Sequence, residues 1–298
     1  MNDIPYRRIE KDIYRFLSAL IAIALILGIL HFLFHDLSYH GRYWFNLDKE
    51  RNIPTWFSGT LFFIFGAVSL IAYYREQQRM GEGHRRFRLP WLWCGVALCG
   101  FYLSLDEITI LHENILWKEI RFFSETLGSS WKYITQWQIL FAPFIVAAFI
   151  CLIIFFSGRF TVSPRTRVCA FTGLALWLIA LLLEGTRETF KVSGAWWYMV
   201  ETLLEEEIEI IGCIALIGSV AFYTLDISMK MPQKDGRHSH ANCAFFTRKT
   251  WITLIITLFL LMAGGGIAYY CAHKQDISKA QVPHLYQKAL KIMKSLPR

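Results

Sequence analysis

The apolar positions of this chain form seven long runs separated by shorter polar connections. A helix needs about 20 consecutive, mainly apolar residues to cross the hydrocarbon core of a bilayer, and each run is close to that length. The pattern therefore predicts an all-α integral membrane protein, built as a bundle of about seven transmembrane helices. We predict these helices at residues 13–35, 55–74, 90–114, 136–157, 166–187, 196–227 and 249–272.

The connections are too short to separate two domains, so we expect a single transmembrane domain over residues 1–298. The first run is long and lacks a small-residue cleavage site, which favours a membrane helix over a removable signal peptide. Residues 115–131 mix apolar and charged side chains, a pattern typical of an amphipathic helix lying in the outer membrane interface. Residues 274–298 form a basic C-terminal tail.

Composition and charge support the same class of protein. Hydrophobic residues make up 55% of the chain and charged residues only 18%, which excludes an ordinary soluble domain. The net charge of +8 is spread over the connections, so nucleic-acid binding is not expected, whereas contact with anionic membrane lipids is. With the N-terminus in the cytoplasm, the N-terminal segment and the inner connections hold 17 Lys and Arg residues and the outer connections hold 8, so we predict that orientation. The C-terminal tail opposes it, because it adds six more cations on the outer side.

The sixth run contains an unusual density of acidic residues. A carboxylate near the bilayer centre costs about 2.5–3.5 kcal/mol by insertion scales, so such residues are functional candidates by default. At about 3.6 residues per turn, three of the glutamates form one stripe, a fourth flanks it and a fifth lies on the far side. They are, in that order, Glu201, Glu205, Glu209, Glu206 and Glu207.

Polar residues from other predicted helices fall in the same outer layer of the bundle. The third run contributes Asp106, Glu107, His112 and Glu113, and the first ends with His31 and His35, four residues apart. The fifth run ends with Glu184, Arg187 and Glu188, and the second begins at Asn52. Five helices therefore bring polar groups to this layer, which favours a functional cluster over scattered errors in the helix boundaries. Structural ion pairs and interfacial histidines remain the alternative interpretation of individual residues.

Carboxylates and imidazoles in this arrangement suit a divalent metal such as Zn, Fe or Mn. The candidate ligands are Asp106, His112, Glu113, Glu205 and Glu209, and the candidate catalytic bases are Glu201 and Glu206. Neither the Glu-x-x-His pairs of di-iron bundles nor a His-Glu-x-x-His zinc motif is present. The metal site would therefore have an unfamiliar arrangement.

Three functions remain open. The first is a metal-dependent membrane enzyme acting on a lipid or another hydrophobic substrate. The second is a non-catalytic subunit of a larger membrane complex, with partner subunits docked on its aromatic-rich surface. The third is cation or proton transport, which is less favoured because the sixth run carries no further acid between Glu209 and Asp226.

Three segments resemble a loosely defined group of bacterial multi-pass membrane proteins of unknown function. They are FNLDKERNIPTWFS (45–58), FYLSLDEITILHE (101–113) and ETLLEEEIEIIG (201–212), and the likeness covers roughly residues 30–225. The resemblance implies a location in the bacterial inner membrane and implies no activity. A second analogy, to seven-helix zinc hydrolases of membranes, rests on residue types alone and departs from their order: Ser104, Asp106, His112, His31 and His35.

Overall fold

The structure is a computed structural model. It describes residues 4–35, 38–39, 42–49, 52–81, 89–109, 137–161, 163–184 and 195–229. All of them belong to the first of two compact units, Met1–Cys243, while the second unit, Ala244–Arg298, lies outside the described residues. The predicted helices at 115–131 and 249–272 and the tail at 274–298 also lie outside them. The helix count of seven and the single-domain organisation therefore stay predictions.

The described residues form helices and one short antiparallel β-ladder, in which Ser38 pairs with Tyr43 and Tyr39 with Arg42. This ladder was not predicted from the sequence. In chain order the elements are α1 (Ile4–Phe34), β1 (Ser38–Tyr39), β2 (Arg42–Tyr43), α2 (Ile53–Gly81), α3 (Leu92–Thr109), α4 (Trp137–Arg159), α5 (Pro164–Glu184) and α6 (Ala195–Met229).

Five stretches of helix within the described residues are long and apolar enough to cross a membrane. They are Tyr6–Phe34, Ile53–Met80, Leu92–Thr109, Pro164–Glu184 and Trp196–Met229, and a shorter apolar stretch spans Pro143–Arg159 of α4. This confirms the prediction of a helical multi-pass membrane protein.

Exposed Trp and Tyr side chains lie near both ends of the bundle, and Tyr102 of α3 lies between them. Tyr14 and Trp91 are exposed at the end where α1 begins, and Trp44, Trp196 and Trp197 are exposed near the opposite end. Between these levels the exposed large side chains of α1 are isoleucine, leucine and phenylalanine. Trp and Tyr are enriched where a membrane meets water, so the two levels fit the two interfaces of a bilayer.

Helix α6 is the centre of the described bundle. It packs against α1, α2 and α5, while α3 packs on α2 and α4 touches α5. Close approach depends on glycines: Gly66 of α2 meets Gly100 of α3, and Gly173 of α5 meets Gly212 of α6. Small residues allow the backbones of membrane helices to come close, and the resulting contacts replace the hydrophobic driving force that lipid cannot supply.

The end of the bundle where α1 begins holds most of the described cations, and we call it the basic end. Arg165 of α5 pairs with Asp226 of α6 at 2.9 Å and with Glu10 of α1, and it donates to the hydroxyl of Tyr6. The guanidinium carbon also lies 4.6 Å from the ring centroid of Phe222. One arginine thus ties three helices together.

Helix α2 is longer at the basic end than the predicted 55–74 because its last turns are held by partners on other helices. Glu76 is fully buried and accepts hydrogen bonds from Trp93 Nε1 at 2.7 Å and from the Tyr223 hydroxyl. Arg159 of α4 lies 3.3 Å from its second carboxylate oxygen. One turn later, Arg79 donates to the carbonyl of Ser228 at 3.0 Å. These contacts give Glu76 and Arg79 polar partners, so α2 continues beyond the end of its apolar run.

Candidate functional site

The predicted acidic stripe lies in the half of α6 away from the basic end, and we call that end of the bundle the carboxylate end. Glu201 and Glu205 are buried there, with 3% and 5% of their surface exposed. Glu206 and Glu209 are half-buried. The candidate bases and two of the candidate ligands therefore lie on the most enclosed helix of the described bundle.

The stripe continues into the contact between α6 and α5. Gly212, which continues the stripe by one turn, packs against the backbone of Gly173 and against Trp177 of α5. Trp177 Nε1 donates to the carbonyl of Glu209 at 3.2 Å, and its ring lies 5.8 Å from that of Phe62 of α2. Trp177 thus links α5 to the backbone of α6 at Glu209, and Phe62 of α2 packs against its ring.

Glu107 of α3 reaches the same region from the other side of α2. The Ser58 hydroxyl of α2 donates to Glu107 Oε1 at 2.6 Å. Glu107 and Glu209 are both close enough to the buried thiol of Cys213 to interact with it electrostatically. Carboxylates from α3 and α6 therefore converge on one part of the bundle.

The neighbouring predicted ligand, Asp106, lies elsewhere on α3. It is half-buried and interacts electrostatically with Tyr102, which is one turn away on the same helix and 52% exposed. The residue pattern predicted Asp106, and not its neighbour Glu107, as a ligand. The Ser58 contact that distinguishes the two depends on which face of α3 packs on α2, and residue spacing within α3 does not show this.

Glu207 lies away from the stripe, on the side of α6 that meets α1. A Cβ atom added to Gly28 of α1 would lie 2.6 Å from Glu207 Oε1 and 3.3 Å from Leu203 Cδ1. A glycine at position 28 thus leaves room for a carboxylate between two membrane-length helices. The structure separates this residue from the candidate site, as its helical angle predicts.

The histidines of α1 hold a polar segment over the carboxylate end. The backbone N–H of Leu47 donates to His31 Nδ1 at 3.0 Å, and Asn46 Nδ2 donates to the carbonyl of His35 at 3.1 Å. The Tyr198 hydroxyl of α6 donates to Asp48 in the same segment. Residues 42–49, which we call the cap segment, are therefore tied to both α1 and α6.

The predicted metal site is not formed by the described side chains. Among them, no group of three or more His, Cys, Asp or Glu residues is placed to hold a metal ion. His31 and His35 have ring centroids 5.7 Å apart, but His31 Nδ1 is occupied by Leu47. The analogy to the zinc hydrolases gains no support from them. His112 and Glu113 lie outside the described residues.

Charge is distributed unevenly along the bundle axis. Every Lys and Arg within the described helices lies toward the basic end, from Arg7 to Arg15 on α1, at Arg75 and Arg79 on α2, and at Arg159, Arg165 and Arg167 on α4 and α5. The halves of these helices at the carboxylate end carry none. That end is therefore strongly acidic within the described helices.

The membrane-length helices and this acidic end define a multi-pass helical membrane protein with polar residues in its interior. Residues 16–224 match the model of a family described as Domain of unknown function (DUF8692), and the chain belongs to that family. No curated protein and no solved structure matches the chain. The match agrees with the predicted resemblance to an uncharacterised group, while the bacterial origin and the inner-membrane location stay predictions.

Proposed function

We propose that this protein binds a cation within its carboxylate end, with Glu205 and Glu209 of α6 as two of the ligands. No three described acidic, His or Cys side chains are placed to hold a metal ion, so further ligands would come from outside the described residues, where His112 and Glu113 lie. The observation that carries the proposal is the burial of two carboxylates one turn apart on a membrane-length helix, Glu201 and Glu205, which are 3% and 5% exposed. Ionisable residues kept inside a membrane protein commonly mark an ion or substrate site.

The physical basis is the strength of electrostatic attraction in a medium of low dielectric constant. Two unit charges 4 Å apart interact by about 1 kcal/mol in water and by about 4 kcal/mol at an effective dielectric constant of 20. Glu107, which contacts Ser58 and lies near Cys213, adds a further carboxylate from α3. Oxygen ligands of this kind suit a hard divalent cation such as Ca²⁺, Mg²⁺ or Mn²⁺.

The catalytic form of this proposal is a metal-dependent membrane enzyme acting on a lipid or another hydrophobic molecule. Glu205 and Glu209 would be joined by the predicted ligands His112 and Glu113 and by Glu107 in place of the predicted Asp106, with Glu201 or Glu206 as a base. A bound metal would lower the pKa of its water, or polarise the substrate. Histidine ligands would favour Zn or Fe over the hard cations.

Transport of the cation through the bundle has less support. From Ile210 to Phe222, α6 contains no carboxylate, histidine, lysine or arginine. Glu209 and Tyr223 are separated by 14 residues, a distance of about 21 Å along an α-helix. The described polar network at Glu76 and Asp226 is engaged with arginines at the basic end. A site entered from one end is the arrangement that these features support.

The test is metal binding by purified protein, with variants matched in charge and helix. Wild type, Glu205→Gln and Glu207→Gln are incubated separately with Ca, Mg, Mn, Zn and Fe, passed over a desalting column and analysed by elemental mass spectrometry. Wild type and Glu207→Gln should retain near-stoichiometric amounts of one ion, and Glu205→Gln should lose it. Equal retention by both variants, or no retention by wild type of any ion, would reject the proposal.

A further inference from the structure

The cations at the basic end fall into two groups with different environments. Arg79, Arg159 and Arg165 are turned toward other helices, where they meet the Ser228 carbonyl, Glu76, Glu10 and Asp226. The second group consists of the cations of α1, which are exposed: Arg7, Arg8, Lys11 and Arg15. The first group holds the bundle together, and the second has no such role within the described residues.

The exposed cations of α1 form one continuous face. Arg7, Lys11 and Arg15 follow at four-residue intervals and Arg8 lies beside them, so all four fall within about 100° of the helix circumference. The opposite face is buried in the bundle through Ile9, Ile13 and Phe16. Arg15 contacts Asp12 at 3.2 Å. No described ion pair involves Arg7, Arg8 or Lys11.

The depth of this basic face is fixed by the residues that follow it. Tyr14, 49% exposed, lies within one turn of Lys11 and contacts Phe222 of α6, with 4.8 Å between ring centroids. Beyond Arg15 the exposed positions of α1 include Ile21 and Ile29, as expected for contact with lipid tails. Arg7, Arg8 and Lys11 therefore lie on the headgroup side of an interfacial tyrosine, and Arg15 lies at the level of that tyrosine.

We propose that this face, formed by Arg7, Arg8, Lys11 and Arg15, binds the headgroups of anionic phospholipids. Phosphate oxygens are the anions present at this depth of a bilayer, and the planar guanidinium of arginine matches their geometry. A basic residue near an anionic membrane surface contributes attraction equivalent to about a fivefold change in affinity. Lipid bound there would hold the start of α1 against the membrane surface, independently of the carboxylate end.

The test compares two double variants, each of which removes two cations. One variant acts at the basic end and the other at the opposite end. Arg7→Gln/Arg8→Gln acts on the basic face, and Arg42→Gln/Lys49→Gln acts at the cap segment. Each protein is reconstituted in nanodiscs of equal parts phosphatidylglycerol and phosphatidylcholine, released into detergent, and its bound lipids are counted by native mass spectrometry. Thermal unfolding of each variant in the same detergent checks that the fold is intact.

Wild type and the cap-segment variant should retain phosphatidylglycerol in clear excess over phosphatidylcholine. The Arg7→Gln/Arg8→Gln variant should lose that excess at least fivefold, and Arg7→Lys/Arg8→Lys should largely keep it, since the charge is preserved. Equal lipid retention by the two double Gln variants would overturn the proposal. Absence of any preference in wild type would overturn it as well.

Discussion

At the scale of single residues, the glycines at helix contacts carry a clear prediction. A Cβ atom on Gly100 of α3 would lie 2.8 Å from the backbone nitrogen of Gly66 and 2.9 Å from its Cα, so α2 and α3 would have to separate. Gly100→Ala should destabilise the protein by about 1–3 kcal/mol, the usual cost of overpacking. The measurement is thermal unfolding in detergent.

The control for this prediction is on the same helix. Gly95 of α3 has no atom within 4 Å of the added Cβ, so Gly95→Ala should leave stability unchanged or raise it slightly through helix propensity. If Gly100→Ala were as stable as Gly95→Ala, close backbone contact between α2 and α3 would be the wrong description.

Glu76 gives a second prediction at this scale. Its fully buried carboxylate serves Trp93, Tyr223 and Arg159 at once, so removing it leaves a cation and two donors without their acceptor. Glu76→Ala should cost about 3–5 kcal/mol, as expected when one member of a buried pair is lost. The control is Gln77→Ala at the neighbouring exposed position, which should cost little stability. The measurement is the urea-unfolding midpoint, and equal midpoints for the two variants would contradict this role of Glu76.

At the scale of secondary-structure elements, Asn52 joins the cap segment to the start of α2. Its Oδ1 accepts from the backbone nitrogen of Thr55 at 3.1 Å, and its Nδ2 donates to the carbonyls of Asn46 and Lys49. Asn52→Ala should cost about 1–2 kcal/mol through loss of the helix cap alone. It should also raise hydrogen exchange in residues 45–56.

Asn52→Asp separates the two roles of this residue. It keeps the oxygen that caps α2 but loses the amide donors to the cap segment, so exchange should rise in residues 45–49 while residues 53–56 stay protected. Uniform protection of both segments in Asn52→Asp would show that the amide donors do not hold the cap segment.

Hydropathy predicted α6 at 196–227, and the structure has Ala195–Met229. It predicted α1 from residue 13, whereas the helix begins at Ile4. The first turns of α1 are buried on one side, but the basic face lowers their average hydropathy, so the apolar run starts later than the helix. Periodicity within one helix also predicted that Glu207 lies away from the stripe. Such features depend on local sequence and are therefore accessible from it.

Contacts between helices were not accessible in the same way. Nothing in the sequence distinguishes Glu107, which meets Ser58, from Asp106, which lies near Tyr102. The polar character of Glu76 suggested the end of a membrane helix, yet its partners on α3, α4 and α6 allow α2 to continue. Pairing across a bundle depends on helix rotation and order, which a single sequence does not specify.

At the scale of the whole molecule, the separation of charge predicts the orientation in the membrane. The described helices carry their Lys and Arg residues at the basic end, and cytoplasmic connections of membrane proteins are enriched in these residues. The basic end should therefore face the cytoplasm, with the cap segment on the other side. Arg8 and Lys49 are both exposed, one at each end, and are suitable positions for a labelling experiment.

The experiment uses Arg8→Cys and Lys49→Cys in a background from which the seven native cysteines have been removed. In intact cells a membrane-impermeant maleimide should label Lys49→Cys, whereas Arg8→Cys should react only after the cells are lysed. Labelling after lysis also shows that the thiol of Arg8→Cys is reactive. The opposite pattern would place the carboxylate end in the cytoplasm. The proposed cation would then enter from the cytoplasm, where Mg²⁺ is plentiful and free Ca²⁺ is scarce. The orientation thus determines which ions the carboxylate end would meet first.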